Sequence, residues 1–514
     1  MSLLGIDVGT TGCKAVVFAE DGWQLASAYR EYNLQRPQPG WAELDAIEVW
    51  GKIKDTIRQA ARQVAESNAD PVSALSVSSM GEAMVPVSRD RRILGPAINP
   101  NFDLRGEAYL EALGRALDNE RLYRINGNTL GNPYSLTRLK WIAEHQPDLY
   151  QETSCFMFWG GLVLSMLGAE PSTDYSLANR TLLFDLDRGD WSDELLAWAG
   201  LEREKLPRAV LSGTVVGRIP PDIAADLGLP SGVLLVAGAH DQCANAVGCG
   251  AIEPGRAVYG MGTFFCITPV FERRRAPQAM IARGLNTEHH AVPGLYVTFI
   301  YNQGGALLKW FRDTFAAVEH RQAQASRRDV YADLIAEIPP RPSSVLALPH
   351  FAPTGPPDFV AGSSGVLVGL RLDTARGDIL KGLLEGVTFY LKACVDGLPE
   401  TGIQIADFRA VGGGSKSAAW IQLSADILGV PFVRPAVTEA GALGAAIIAG
   451  VGSDTFDSYR SGVEAMVKPE CVFEPDPLRH RRYQERFEKY QALWPLMRDY
   501  LTTLNGSRAA GSGR

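Results

Sequence analysis

Leu3-Leu4-Gly5-Ile6-Asp7-Val8 is a short apolar run that stops at Gly9-Thr10-Thr11-Gly12, and Cys13–Phe18 resumes the apolar character. Apolar runs of this length bounded by glycine turns read as strands that bury both faces. The pattern predicts a hairpin, a second turn at Glu20-Asp21-Gly22, and a third strand over Trp23–Tyr32. The period then changes from that of a strand to that of a helix. Ile47, Trp50, Ile53, Ile57 and Ala61 share one face at helical spacing, which predicts a helix over Glu43–Ala65. Val72–Ser78 reads as a strand again. Helices over Leu136–Glu144 and Leu162–Leu167 and a strand over Val233–Ala237 continue the alternation.

The second half restarts in the same manner. Arg256–Thr268 reads as strand, Gly/Thr turn, strand, with the turn at Gly260-Met261-Gly262-Thr263. A helix around Ile379–Leu391, a strand at Asp407–Val411, a glycine run and a helix over Ala418–Leu428 follow. Such alternation predicts an α/β fold. The repeated hairpin predicts two similar domains, 1–252 and 253–505, divided near Glu253-Pro254-Gly255, and a faint internal duplication. Arg482–Tyr500 reads as a terminal helix, and the Gly/Ser/Ala/Arg segment 506–514 as a disordered tail.

Composition narrows the classes. At 514 residues the chain is too long for one compact core. It is 46% hydrophobic and 21% charged, as a globular protein should be. A net charge of −8 argues against nucleic acid or an anionic membrane as the main partner. The uncharged stretches Thr153–Ala169 and His289–Leu308 carry glycines and polar groups and fall short of a membrane span. No signal peptide is visible. The seven cysteines are scattered without a CxxC, so the expectation is a reduced, cytoplasmic protein with no disulfide framework.

Five short segments can carry chemistry. In Asp7–Lys14, the glycines would let backbone approach a polyphosphate, and a carboxylate at a strand end can hold hydrated Mg²⁺; an ordinary hairpin turn has the same letters. Asp241 follows an apolar strand and precedes small residues, a suitable place for a general base and equally for a helix cap. Gly412-Gly413-Gly414 opens a helix and offers an anion or nucleotide site, or a tight turn. Glu439–Ala446 is a small-residue segment suited to close helix packing, and Gly262-Thr263 is a second Gly/Thr turn. HExxH, Walker A, GxSxG and a Rossmann fingerprint after the first strand are all missing. That argues against zinc proteases, P-loop enzymes, typical hydrolases and dinucleotide oxidoreductases.

In this order and at these distances, the motifs resemble the FGGY family of carbohydrate kinases, over Leu3 to about Gly452. The resemblance implies two actin-like (ribonuclease H-like) domains with an interdomain cleft. It also implies transfer of the γ-phosphate of ATP, with Mg²⁺, to a small sugar or polyol. It implies Asp7 at the metal; Gly9, Thr10, Thr11, Lys14, Gly262, Thr263, Gly305, Gly413 and Gly414 at the nucleotide; and Asp241 as catalytic base, followed by Gln242 as in glycerol kinases.

At the acceptor it implies Met80, Gly81, Glu82, Asp103, Tyr134, Asp241 and Gln242. Glu82 fits the glycerol kinase pattern Gln-Arg-Glu, and Met80 the xylulokinase pattern Gln-Met-His-Gly. Asn101–Arg105 matches Trp-x-Asp-x-Arg without its Trp. The alternative role for Glu82 is a cap on the turn after its strand. Gly81, where glycerol kinases place an arginine, is expected to remove donors and leave space. The expected acceptor is therefore a xylulose-like open-chain ketose, with a glycerol- or erythritol-like polyol, or a non-kinase actin-fold ATPase, as alternatives. A homodimer stays open.

Overall fold

The computed structural model describes residues 1–509, apart from 68, 100–102, 353, 358, 361–362 and 437–438. Two mixed sheets organise it. In the first, Ser2–Val8 lies between its antiparallel hairpin partner Gly12–Ala19 and the parallel strand Val72–Ser79. Gln24–Glu31 extends the hairpin on one side. On the other, Leu234–His240 runs parallel to Val72–Ser79 and is edged by antiparallel Val215–Arg218. The second sheet repeats this arrangement. Arg256–Met261 pairs with antiparallel Phe264–Phe271 and with parallel Asp407–Val411, followed by Phe432–Pro435 and the antiparallel edge Pro469–Phe473. The duplication seen faintly in the letters is a repeat of strand order and direction.

The expected elements are present, with shifted ends. Glu43-Leu44 is a short strand and the helix is Ala46–Glu66, because Asp45 caps it by accepting from the Ile47 and Glu48 N–H groups. The other helices are Ser135–His145, Trp159–Met166, Arg376–Asp396 and Ala418–Leu428. The strand expected over Val233–Ala237 runs on to His240. The terminal helix spans Pro477–Ala509, four residues into the segment expected as a tail, and 510–514 lie outside the described residues.

Each sheet sends its parallel strand into a helix, and these two helices meet. Leu234–His240 leads to Asp241–Gly248, and Phe432–Pro435 leads to Ala440–Gly452. They touch backbone to backbone. A Cβ on Gly444 would lie 1.9 Å from the Ala244 carbonyl oxygen, and one on Gly248 would lie 1.9 Å from that of Ala440. The second helix also presses on the first sheet, where a Cβ on Gly5 would sit 1.8 Å from the Ala442 carbonyl oxygen. Leu3, Val16, Ala244, Val247, Leu443 and Ile447 are buried together in this seam. The small residues of 439–446 are thus explained by packing. Among the described residues, no helix is long and apolar enough to cross a membrane.

A side chain cannot enter this seam without moving backbone. Gly444→Val should lower stability by about 1–3 kcal/mol or prevent folding, as overpacking does. Urea unfolding of the variant measures it, and an unchanged midpoint would refute the contact.

Candidate functional site

The parallel strands of the first sheet end together. Asp7, Ser78 and Ala239 stand in register across three neighbouring strands, followed by Val8, Ser79 and His240. Asp241 comes next, as the first residue of its helix. Ligands of open α/β sheets sit beyond such carboxyl ends. Asp7 Oδ1 accepts from Ser78 Oγ at 2.6 Å, and a Cβ on Gly441 would lie 3.1 Å from the same oxygen. Helix Ala440–Gly452 thus walls the Asp7 carboxylate. Burial and the nearby Glu439 raise the Asp7 pKa, against Ser78 and Lys14, which lower it.

Asp241 does not cap its helix. His240 holds the cap position, without a side-chain capping bond. The Asp241 carboxylate accepts from Gln242 Nε2 at 3.1 Å and lies 3.3 Å from His240 Nε2. His240 is held neutral by burial and by Arg180, so it supplies no balancing charge. Burial, then Asp7, then Glu82 push the Asp241 pKa up to about 7. A carboxylate poised there can take a proton near neutral pH.

Gly9 N–H donates to the Gly12 carbonyl at 2.9 Å, and the Tyr32 OH is shared between the carbonyls of Gly9, at 2.5 Å, and Gly12, at 3.0 Å. Thr11 is exposed and Thr10 half-buried. In the second sheet Gly262 and Thr263 are exposed, and the helix Gly305–Phe315 starts against them. Gly305 N–H donates to the Gly262 carbonyl at 3.0 Å, where a Cβ on Gly305 would come within 2.5 Å. Gly305 therefore supports the second turn by close approach. Gly412 has φ +89°, which requires glycine. A Cβ on Gly414 would lie 2.9 Å from the Met261 Cβ, whereas one on Gly413 meets nothing within 4 Å. Gly414 thus packs on the strand before the second turn, and Gly413 faces open space. Lys14 forms a 2.6 Å ion pair with Glu439.

On the acceptor side Gly81, Glu82 and Tyr134 lie around Arg180, with Met80 next in the chain to Gly81. Met80 N–H donates to the Val8 carbonyl at 2.9 Å, which ties the segment to the Asp7 strand. Glu82 adopts φ +60° and sends its carboxylate to Arg180, so it is not a local cap. Arg180 also pairs with Glu288, from the second half of the chain, and its guanidinium lies 5.0 Å from the Tyr134 ring centre. Tyr134 OH donates to Asn128 Oδ1 at 2.9 Å. The expectation that Gly81 leaves free space and missing donors is corrected: a Cβ there would lie 3.1 Å from the Arg180 Cγ and 3.3 Å from the His240 ring. Arg180 fills that volume and brings its own donors. Asp103 spends both oxygens on the Ala42 N–H and Arg105, which stacks 3.8 Å from the Trp41 ring centre and 5.1 Å from that of Trp141. Trp41 and Trp141 thus supply the aromatic partner absent from the motif; Asn101 and Phe102 themselves lie outside the described residues.

Sequence reasoning missed Arg180 and Glu288; His240 reads from the sequence as a structural neighbour of Asp241 rather than a catalyst. Glu288 left one signal, as the carboxylate just before the uncharged stretch from His289 to Leu308.

Comparison with known proteins decides the family. The model of the FGGY family of carbohydrate kinases matches with its N-terminal domain over residues 2–248 and its C-terminal domain over 257–453. The chain belongs to this family. This kinase is 30% identical to an autoinducer-2 kinase of Escherichia coli (strain SMS-3-5 / SECEC), over 96% of this chain and 94% of that one. It is 26% identical to a xylulose kinase of Bacillus subtilis (strain 168), over 98% and 99%. The crystal structure of xylulose kinase from Rhodospirillum rubrum superposes with a TM-score of 0.85 at 26% identity, covering 98% of this chain and 100% of that one. The two-domain actin-like fold expected of an FGGY kinase is thereby established.

Because Asp7 contributes to the raised Asp241 pKa, Asp7→Asn should move the Asp241 titration downwards from about 7. Carboxyl ¹³C NMR in the absence of nucleotide, assigned with Asp241→Asn, measures this. A titration near 4 in the unaltered protein would contradict the site's electrostatics.

Proposed function

We propose that this kinase phosphorylates a hydroxyl of a small open-chain ketose, xylulose-like in size, with Asp241 as general base. The observation that carries the reading is the Asp241 carboxylate. It is free of capping, beside a neutral imidazole and an amide, and near Glu82. The acceptor hydroxyl would lie against Asp241, Glu82 and Gln242, with Met80 and Tyr134 along the wall. Its proton passes to the Asp241 Oδ as its oxygen forms the bond to the γ-phosphorus, and the bond to the ADP oxygen breaks. Catalysis of this kind rests on positioning and charge neutralisation.

The backbone at Thr10-Thr11, half-buried to exposed, and at the exposed Gly262-Thr263 and Gly412–Gly413 suits the phosphates of ATP, because N–H groups there can approach oxygens closely. Lys14 adds a cation near the first turn and is itself balanced by Glu439. Asp7 fits a magnesium ion. It offers a single carboxylate with one oxygen fixed by Ser78, and the described residues hold no cluster of three metal-ligating side chains. A site of this type suits Mg²⁺ that keeps waters and takes its other ligands from phosphate. Bound there, Mg²⁺ would neutralise phosphate charge.

The ketose assignment draws on Met80 and on the xylulose kinase relatives; the autoinducer-2 kinases make autoinducer-2 a second acceptor to try. The test is ADP release with D-xylulose, D-ribulose, erythritol, glycerol and autoinducer-2. D-Xylulose or D-ribulose should give the highest kcat/KM and glycerol a poor one, and glycerol as the best substrate would refute the pocket. Asp241→Asn should lower kcat by ~10² or more while ADP still binds. Near-normal turnover in that variant would remove Asp241 from the role.

Gly413 gives a separate test of the nucleotide side. Gly413→Val places its side chain in open space, so folding should be unaffected while the KM for ATP rises about tenfold or more. An unchanged ATP KM would reduce the glycine run to a turn.

A further inference from the structure

Arg180 is the only arginine among the described residues whose guanidinium is held between carboxylates from both halves of the chain at the acceptor wall. Its Nε and Nη2 engage Glu82 Oε1, and its Nη1 engages Glu288 Oε1. The three side chains are 13%, 7% and 0% exposed, so this is a desolvated cluster. Glu82 reaches it from beside Met80 and Gly81, and Glu288 from the strand Glu288-His289 of the second half. Two acceptor positions remain: Glu82 Oε2 makes no hydrogen bond within the described residues, and Glu288 Oε2 is buried with no hydrogen-bond partner. Tyr134 and Phe299 flank the guanidinium at 5.0 and 5.8 Å.

The charges decide what this wall can accept. One guanidinium between two carboxylates leaves a net negative cluster, and Asp241 and Asp7 add to it when ionised. A free arginine beside an acceptor pocket would recruit a carboxylate as a bidentate partner. Here the two protein carboxylates have already taken that place. What remains suits hydroxyl donors, which the uncommitted Glu82 Oε2 accepts, while the fully buried Glu288 contributes through its charge. We propose that the Glu82–Arg180–Glu288 cluster is the specificity-determining element of the acceptor site, admitting uncharged polyhydroxy compounds and rejecting aldonates. This rests on the acceptor lying beside Asp241, as argued above, and adds the charge class to it.

The test compares D-xylulose and xylitol with D-xylonate and D-gluconate, on the full-length kinase, in the unaltered protein, Glu288→Gln and Arg180→Lys. Binding to the ADP complex by calorimetry is read beside kcat/KM. The unaltered kinase should prefer the neutral compounds by about a hundredfold or more, the scale expected when a like charge is set against the cluster. Glu288→Gln removes one of the two competing charges, so aldonate binding should strengthen about tenfold relative to xylulose. Arg180→Lys keeps the charge and loses the fork, so the acceptor KM should rise about tenfold with the ATP KM unchanged. A merely structural arginine would instead lower the unfolding temperature and shift both KM values together.

Aldonates bound as well as xylulose by the unaltered protein, or a folded Glu288→Gln with unchanged selectivity, would overturn the proposal. If Arg180→Lys does not fold, Glu288→Gln, which keeps the Arg180–Glu82 pair, decides alone. Failure of the acceptor reading itself looks different: neither ketose nor polyol would bind or turn over in the unaltered protein, whereas failure of the charge reading leaves them bound together with the acids.

Discussion

The rest of the molecule depends on one contact in which two helices touch without side chains between them. Asp241–Gly248 and Ala440–Gly452 approach until Gly444 meets the Ala244 carbonyl and Gly248 meets that of Ala440. Each helix leaves the end of a parallel strand in its own sheet, so their contact fixes where the two sheets' carboxyl ends stand. It also fixes where Asp241 starts its helix and where Gly441 bears on Asp7. A bulkier seam would separate these groups before any of the chemistry changed. Close packing at native density explains why so many positions there are glycine or alanine.

The second constraint is electrical. Asp7, Asp241, Glu82 and Glu288 converge on a partly desolvated cleft where Arg180 is the central cation and Lys14 is already paired with Glu439. Burial, with Asp7 and then Glu82 adding to it, pushes the Asp241 pKa up to about 7. In the mechanism proposed above, the same surplus of negative charge would favour a metal-bound nucleotide over a bare one and the transfer of a proton from a neutral hydroxyl. Stability and function pull apart here, since separated carboxylates would be easier to bury and worse at both tasks.

Most of the fold was legible in the sequence because it is written in local signals. The Gly/Thr turns at 9–12 and 262–263 and the apolar runs beside them mark the two hairpins, and the helical spacing from Ile47 to Ala61 marks the long helix. Boundaries moved where capping chemistry overrides periodicity: Asp45 starts the first helix later than its apolar face suggests. In the candidate site, the segments near Asp7, Met80 and Asp241 were legible because they end strands of one sheet. Arg180 and Glu288 were not, since each sits in an unremarkable local sequence and the two, 108 residues apart, acquire meaning only when both halves are folded together. Gly414 shows the converse: the glycine run was visible, but which glycine faces open space depends on Met261 from a distant strand.

Gly81 shows how far a single letter can mislead when its neighbours in space are unknown. A glycine in place of a long side chain reads as a vacancy, yet the ideal Cβ position lies 3.1 Å from the Arg180 stem. The glycine is what admits the arginine. An arginine fixed at position 81 would be anchored to the strand end beside Met80, with its charge available to whatever entered the cleft. Arg180 instead arrives at the end of the short helix Tyr175–Asn179 and is clasped by a carboxylate from each half of the chain. Its charge is thereby committed before any acceptor binds. The same type of side chain reaching one cleft from two backbone origins gives two different electrostatic sites, because the origin decides which carboxylates can reach it.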